Sequence, residues 1–263
     1  MIKVENKYAT RLSAGLGLVD ETKALLSIYE GGMDSNTLIE KALSSGIFPN
    51  IAARRLRNIV AECFSPRYLK TSVATLLKPL SISLNSSAFV QFLLLHTAMS
   101  NRLLLDFIVE IYWSKYISGQ DVVSSEDAHR FVENAVREGK TQMPWSEITI
   151  KRQSSYLLGC CADYGLLSAA RSSNRTIQPV RLQQSTSLYL AHLLHFSGLG
   201  DNAVIHHDSW KLFGLEPHDV REEFKKLAKH NWMIVQSAAD VTRISWQFKT
   251  MDEVVNVITE TRL

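Results

Sequence analysis

The longest apolar run in the chain, residues 89–113, is interrupted by His96, Asn101, Arg102, Asp106 and Glu110. A segment that crosses a bilayer needs roughly 18 or more nearly uninterrupted apolar residues. The run therefore predicts a buried core helix, broken near Ser100, and no membrane partner. The residues before it carry helical periodicity: Leu25, Leu26 and Ile28 precede Gly31-Gly32, and Leu38, Ile39 and Leu43 precede Gly46. Each glycine step reads as a helix end. In IAARRLRNIVAEC, Ile51, Ala52, Leu56, Ile59, Val60 and Cys63 fall on one face and Arg54, Arg55, Arg57 and Asn58 on the other. Short helices with short links make a bundle. Pro66 and Pro79 are expected to punctuate it, and SISLNSS to form a loop that caps the core helix.

Beyond residue 118 the pattern changes. Residues 119–125 read as a linker, with Ser124 or Ser125 capping a helix through Val136. A second helix starts at Ile148 or Ile150 and ends at Tyr164-Gly165. LLSAAR, a turn at Ser172-Ser173-Asn174, and RTIQPVRL follow as a hairpin, with Pro179 confining its strand to an edge. The order is helix, helix, hairpin. The tail repeats it loosely: Asp208 caps a short helix, Pro217 opens another through His230, and WMIVQ and TRISWQF pair. A last helix has Thr250 and Glu253 as its capping box and Val254, Val255 and Ile258 as its apolar face. The expected architecture is mainly α: a helical bundle over residues 1–118, a winged-helix-like segment over 119–200, and a helix-hairpin-helix part over 201–263 packed with that segment.

Charge locates the candidate site. The net charge of +3 over 263 residues implies nothing by itself. Between residues 51 and 78, however, Arg54, Arg55, Arg57, Arg67, Lys70 and Lys78 oppose only Glu62, and between 140 and 183 six basic residues oppose Glu147 and Asp163. At 100° per residue, Arg152, Ser155, Tyr156, Gly159 and Asp163 line one face of the helix before the hairpin, with Lys151 beside them, and the hairpin adds Arg171, Arg175 and Arg181. A helix that fits a major groove, followed by a basic hairpin, is a winged-helix layout. Arg and Lys neutralise phosphates, while Ser, Tyr and a small Gly permit close approach. The plainer reading is a solvated helix face. The helix of Lys225, Lys226 and Lys229 mixes in Glu222 and Glu223 and ranks below.

Catalytic signatures are missing. The sequence has no P-loop and no G-x-S-x-G, and Gly15-Leu16-Gly17 lacks the preceding strand and third glycine of a dinucleotide site. Cys160 and Cys161 diverge by about 100° on one helix, with Cys161 on the core side and Cys160 on the flank. Neither they nor Cys63 has zinc-ligand spacing. His192 and His195 could share a metal face, or His195 could be a partly buried ring near Phe196. These features predict no enzyme, cofactor, metal or small-molecule substrate. The polar start MIKVENKYAT and the odd cysteine count predict a cytoplasmic protein.

The opening KYATRLSAGLGLVDETKALLSIYEGG, with Tyr8, the Ser13-Ala14-Gly15-Leu16 step and Asp20-Glu21 leading into an apolar helix, resembles the BrxA family of BREX bacteriophage-exclusion systems. WSEI…LLGCCADYGLL, residues 145–167, shares in the likeness, which runs along the whole chain. The resemblance implies a non-catalytic, mainly helical component of a multi-protein defence system that binds double-stranded DNA, contacts other BREX proteins, and has a bundle like that of the NusB transcription factors. It assigns no residues. Binding of RNA, and a purely protein-docking role, remain alternatives to DNA.

Overall fold

A computed structural model of the chain describes residues 7–169, 172–238 and 241–261. It is mainly helical, with two small two-stranded sheets. The chain opens through α1 (Val19–Ile28), α2 (Ser35–Ser44) and α3 (Ala53–Asn58), which runs on as wide π-type turns over Ile59–Leu69. Then come α4 (Ala74–Ser83), α5 (Ser86–Ser100) and α6 (Arg102–Phe107), the last extended by π-type turns at Ile108–Trp113 into α7 (Ser114–Ile117). After β1 (Val122–Ser124) follow α8 (Ser125–Arg137), α9 (Glu147–Asp163), β2 (Asn174–Thr176), α10 (Gln184–Phe196) and α11 (Asp201–Ile205). A 3-10 stretch at Asp208–Phe213 leads to α12 (Pro217–Lys229), β3 (Met233–Ala238), β4 (Val241–Trp246) and α13 (Met251–Thr261).

The chain divides into two compact units that are not contiguous in sequence, one from Ile2–Lys78 and Leu93–Val180, the other from Pro79–Phe92 and Arg181–Leu263. These do not follow boundaries at 118 and 200. Residues 119–124 lie within the first unit, because β1 is paired there with β2.

Several expected helix signals hold. Ser124 and Asp127 form a reciprocal capping box at α8, Glu253 N donates to Thr250 Oγ1 at 3.2 Å, and Gly165 follows α9 with φ +74°. The prolines do not punctuate as expected. Pro66 sits within the π-type turns, where Lys70 N reaches back five residues to Ser65 O at 2.9 Å, and Pro79 sits inside α4. The expected SISLNSS loop shrinks to Leu84 and Asn85, whose Oδ1 caps α5 by accepting from Ala88 N at 2.9 Å. Asp208 is not a cap: His207 Nδ1 accepts from Ser209 N instead.

The break in the apolar run falls at Asn101, whose side chain accepts from Leu104 N and starts α6. No single helix among the described residues is long and apolar enough to cross a membrane; only α5 and the α6–α7 stretch together reach that length, across a 114° bend. In the first unit, Asp106 on α6 receives hydrogen bonds from Tyr8 Oη at 2.7 Å and Arg102 Nε at 2.8 Å. Tyr8 also bonds through its backbone to Lys140 O and from Gln142 N, so the start of the described chain is fastened beyond α8.

In the second unit, α10 is buried along most of its length. The His192 ring lies against Trp246 and Phe248, its Nδ1 is 2.9 Å from Leu188 O, and His195 stacks on Trp246 at 4.2 Å. Ring packing therefore accounts for the i, i+3 histidine pair. Among the described residues no three His, Cys, Asp or Glu side chains converge on a metal position.

Burial holds His96 and His192 down to a pKa of about 4 from an ordinary 6.5. Between pH 6.5 and 4 the unfolded chain binds these protons and the folded chain does not. Stability therefore falls as pH drops through that window and levels off below it, by about 3 kcal/mol per ring. Urea midpoints measured from pH 7 to pH 4 should show this decline, and His96→Gln/His192→Gln should flatten it.

Candidate nucleic-acid interface

Helix α9 is the scaffold of the site. Ser146 caps it, and Ile150, Ser154, Leu157, Leu158 and Cys161 form its buried side, against which α8 packs. Three extended stretches adjoin these helices. β1 is antiparallel to β2 in the register Val123↔Arg175. On the other side of β2, Ser168 N donates to Thr176 O and Gln178 N to Leu166 O, both at 2.8 Å, around a Leu167↔Ile177 bridge. The expected pairing of 166–168 with the strand after the turn is present. The edge placement inferred from Pro179 is not, since β2 has neighbours on both sides and ends before the proline.

Lys151, Arg152 and Ser155 are exposed on α9, and Tyr156 is half-buried. Lys151, Ser155, Tyr156 and Arg175 line one groove of about 830 Å³; Arg152 lies outside it. Its charge is mixed, because α8 contributes Glu126 and His129, and His129 Nε2 is 2.9 Å from Glu147 Oε1. Counting charge along residues 140–183 missed Glu126, which only the packing of α8 on α9 brings in. Arg175 is itself half-buried: its Nη1 donates to Leu158 O at 3.3 Å, and it serves as a clamp between β2 and α9.

Gly159 and Asp163 are engaged by another part of this chain, although Asp163 stays exposed and Gly159 lines the groove. A Cβ on Gly159 would lie 2.7 Å from Leu16 Cδ1, so the missing side chain makes room for this protein's own leucine. Gly17 N donates to Asp163 Oδ2 at 2.9 Å, and Tyr164 Oη donates to Gly17 O at 3.2 Å. Arg67, buried in the π-type turns, donates to Gly15 O at 2.8 Å and Gly17 O at 3.4 Å. Arg55 donates to Ala14 O at 2.6 Å. Residues 14–17 thus form a strap bonded to α3, the π-type turns and α9. The sequence signal for it was Gly15-Leu16-Gly17, two glycines allowing close backbone approach on either side of an apolar residue.

This strap sorts the basic residues. Arg55 and Arg67 hold it, and Lys78 donates to Tyr29 O at 2.6 Å, so three of the six cations in residues 51–78 are committed to backbone carbonyls of this chain, Arg55 while still exposed. Arg54 and Arg57 are exposed, and like Lys151 and Arg152 they have no hydrogen bond or ion pair among the described residues. Arg181 is exposed but belongs to the other compact unit, where its carbonyl accepts from Gln91 Nε2 at 2.7 Å. Arg171 lies outside the described residues.

The paired cysteines are both free and buried. Cys160, expected on the flank of α9, is as buried as Cys161, with Arg67 and Cys63 near it, and burial pushes its thiol up to about 12. Cys161 is pushed well above the ordinary range by the same cause.

Fold and site together define a mainly helical protein that presents cations on the outer face of a helix. The profile of the BrxA family matches residues 6–193, and the chain belongs to that family. Membership points to a component of a BREX phage-exclusion system. No curated protein matches the chain.

The strap can be tested directly. A Cβ at Gly17 would lie 2.5 Å from Asp163 Cβ, whereas one at Gly31 would meet nothing within 4 Å. Gly17→Ala should lower unfolding stability by about 1–3 kcal/mol, and Gly31→Ala should leave it unchanged or raise it by about 0.5 kcal/mol, both read from urea titrations.

Proposed function

We propose that the chain is a cytoplasmic, non-catalytic component of a BREX system that binds double-stranded DNA chiefly through its phosphates and works alongside other proteins of that system. The observation that carries this reading is the outer face of α9, where Lys151 and Arg152 stand exposed and unpartnered opposite a buried face of Ile150, Leu157 and Cys161. The order β1, α8, α9, an extended stretch at 166–168, and β2 supports a winged-helix arrangement. In it α9 enters the major groove and the turn before β2 follows the backbone. In this reading Arg54 and Arg57 are a second cationic element, on α3, which the strap bonds to α9. Glu126 and Glu147 oppose phosphate in the groove, and Arg175 is held there by Leu158 O, so the phosphate contacts fall on the exposed Lys151 at its edge and on Arg152, Arg54 and Arg57 outside it.

Four phosphate contacts, one for each of Arg54, Arg57, Lys151 and Arg152, give log Kd a slope of about 3 to 4 against log salt. Fluorescence anisotropy on a random-sequence duplex should show that slope. Arg54→Glu/Arg57→Glu and Lys151→Glu/Arg152→Glu should each remove about half of it while circular dichroism stays unchanged. Absence of binding at low salt would reject the reading in favour of protein docking, and preferential competition by RNA of equal length would transfer it to RNA.

A further inference from the structure

Ile148 opens the outward stripe of α9 and is 65% exposed, while Met143, just before the helix, is 67% exposed. An isolated apolar side chain on a surface is ordinary. Ile148 is set apart by its neighbours. Residues at i, i+4 and i+7 share a helix face, so Ile148, Arg152 and Ser155 form a single row, with Lys151 on its flank; all four are exposed. The row ends one turn later, where Leu16 covers Gly159. The free part of the face is therefore the N-terminal half of α9, the part of a recognition helix that reaches base edges. Glu147, the one carboxylate in the first turn, is held to one side by His129 at 2.9 Å.

In the major groove the apolar feature of a base edge is the 5-methyl group of thymine, which an aliphatic side chain can cover, while Arg pairs with guanine O6 and N7. We propose that Ile148 is a specificity-determining residue that contacts the thymine 5-methyl group, beside Arg152 and Ser155 in the same row. This rests on the DNA-binding reading and adds to it a base feature that the cations do not distinguish.

The test compares two random-sequence duplexes identical except that every thymine is replaced by deoxyuridine, which lacks the methyl group. The wild-type protein should bind the uracil duplex roughly fourfold more weakly, the worth of about one buried methyl group. Ile148→Ala should bind both duplexes equally, at the wild-type affinity for the uracil duplex, with an unchanged salt slope. Ile148→Val, which keeps a branched aliphatic surface, should retain most of the preference and guards against a folding artefact. Equal wild-type binding to the two duplexes with a normal salt slope would overturn the Ile148 assignment alone. A thymine preference that survives in Ile148→Ala would overturn it as well. Absence of salt-dependent binding to either duplex would overturn it together with the DNA-binding reading.

Discussion

The buried guanidinium of Arg67 fixes the geometry on which the candidate interface depends. It donates to the carbonyls of Gly15 and Gly17 and has no ion pair with a carboxylate among the described residues. A charge taken out of water is costly unless its donors are satisfied, and here much of that satisfaction comes from the backbone of the strap. Moving the strap would leave a buried cation with lost partners, a greater penalty than the loss of ordinary hydrogen bonds. Held in place, the strap puts Leu16 on Gly159 and Gly17 N on Asp163. It thereby limits how much of α9 can face a partner and joins α3 to that helix. The carboxyl of Asp163 is raised by burial, against the Gly17 hydrogen bond and the charges of Arg175 and Arg67. Its hydrogen bond to Gly17 N ties this exposed residue to the strap.

Local chemistry was legible wherever it is decided within a few residues. A cap at Ser124, the Thr250–Glu253 cap of α13, and the β3–β4 hairpin follow from capping and alternation, and the structure forms them. Pro66 and Pro79 misled because a proline removes one donor without forbidding the helix when packing supports the turns on both sides. Phe64, Tyr68, Leu77 and Leu80 are all fully or nearly fully buried around them. The pairing of β1 with β2 was beyond reach for a different reason. Three-residue strands carry almost no periodic signal, and their partners are separated by the whole of α8 and α9.

The site was legible in its outline and not in its membership. Counting charge along the chain treats every arginine as equal, but a guanidinium with five donors is also a good clamp for backbone carbonyls. Arg55, Arg67 and Arg175 act in that way, toward Ala14, Gly15 with Gly17, and Leu158 respectively. Arg54, Arg57, Lys151 and Arg152 do not. Both sets lie on basic segments, so charge along the sequence does not separate them; the separation comes from which carbonyls the fold leaves within reach.

The same reasoning bears on the second helix-and-hairpin arrangement, α12 with β3 and β4. Its outward residues include His218, Glu222, Lys225 and Lys229, at spacings like those on α9. Yet Lys225 bonds to Glu222, Lys226 to Glu223, and Glu216 with Asp219 closes the helix start in a capping box. A phosphate approaching this face would have to break ion pairs already made and meet carboxylates at the very end of the helix that a major groove would receive. On α9 the only first-turn carboxylate is already turned toward His129, and the cations one turn later are unpaired. Two segments with one order of elements therefore differ in what they can bind, and the difference lies in where each helix carries its carboxylates relative to its first two turns.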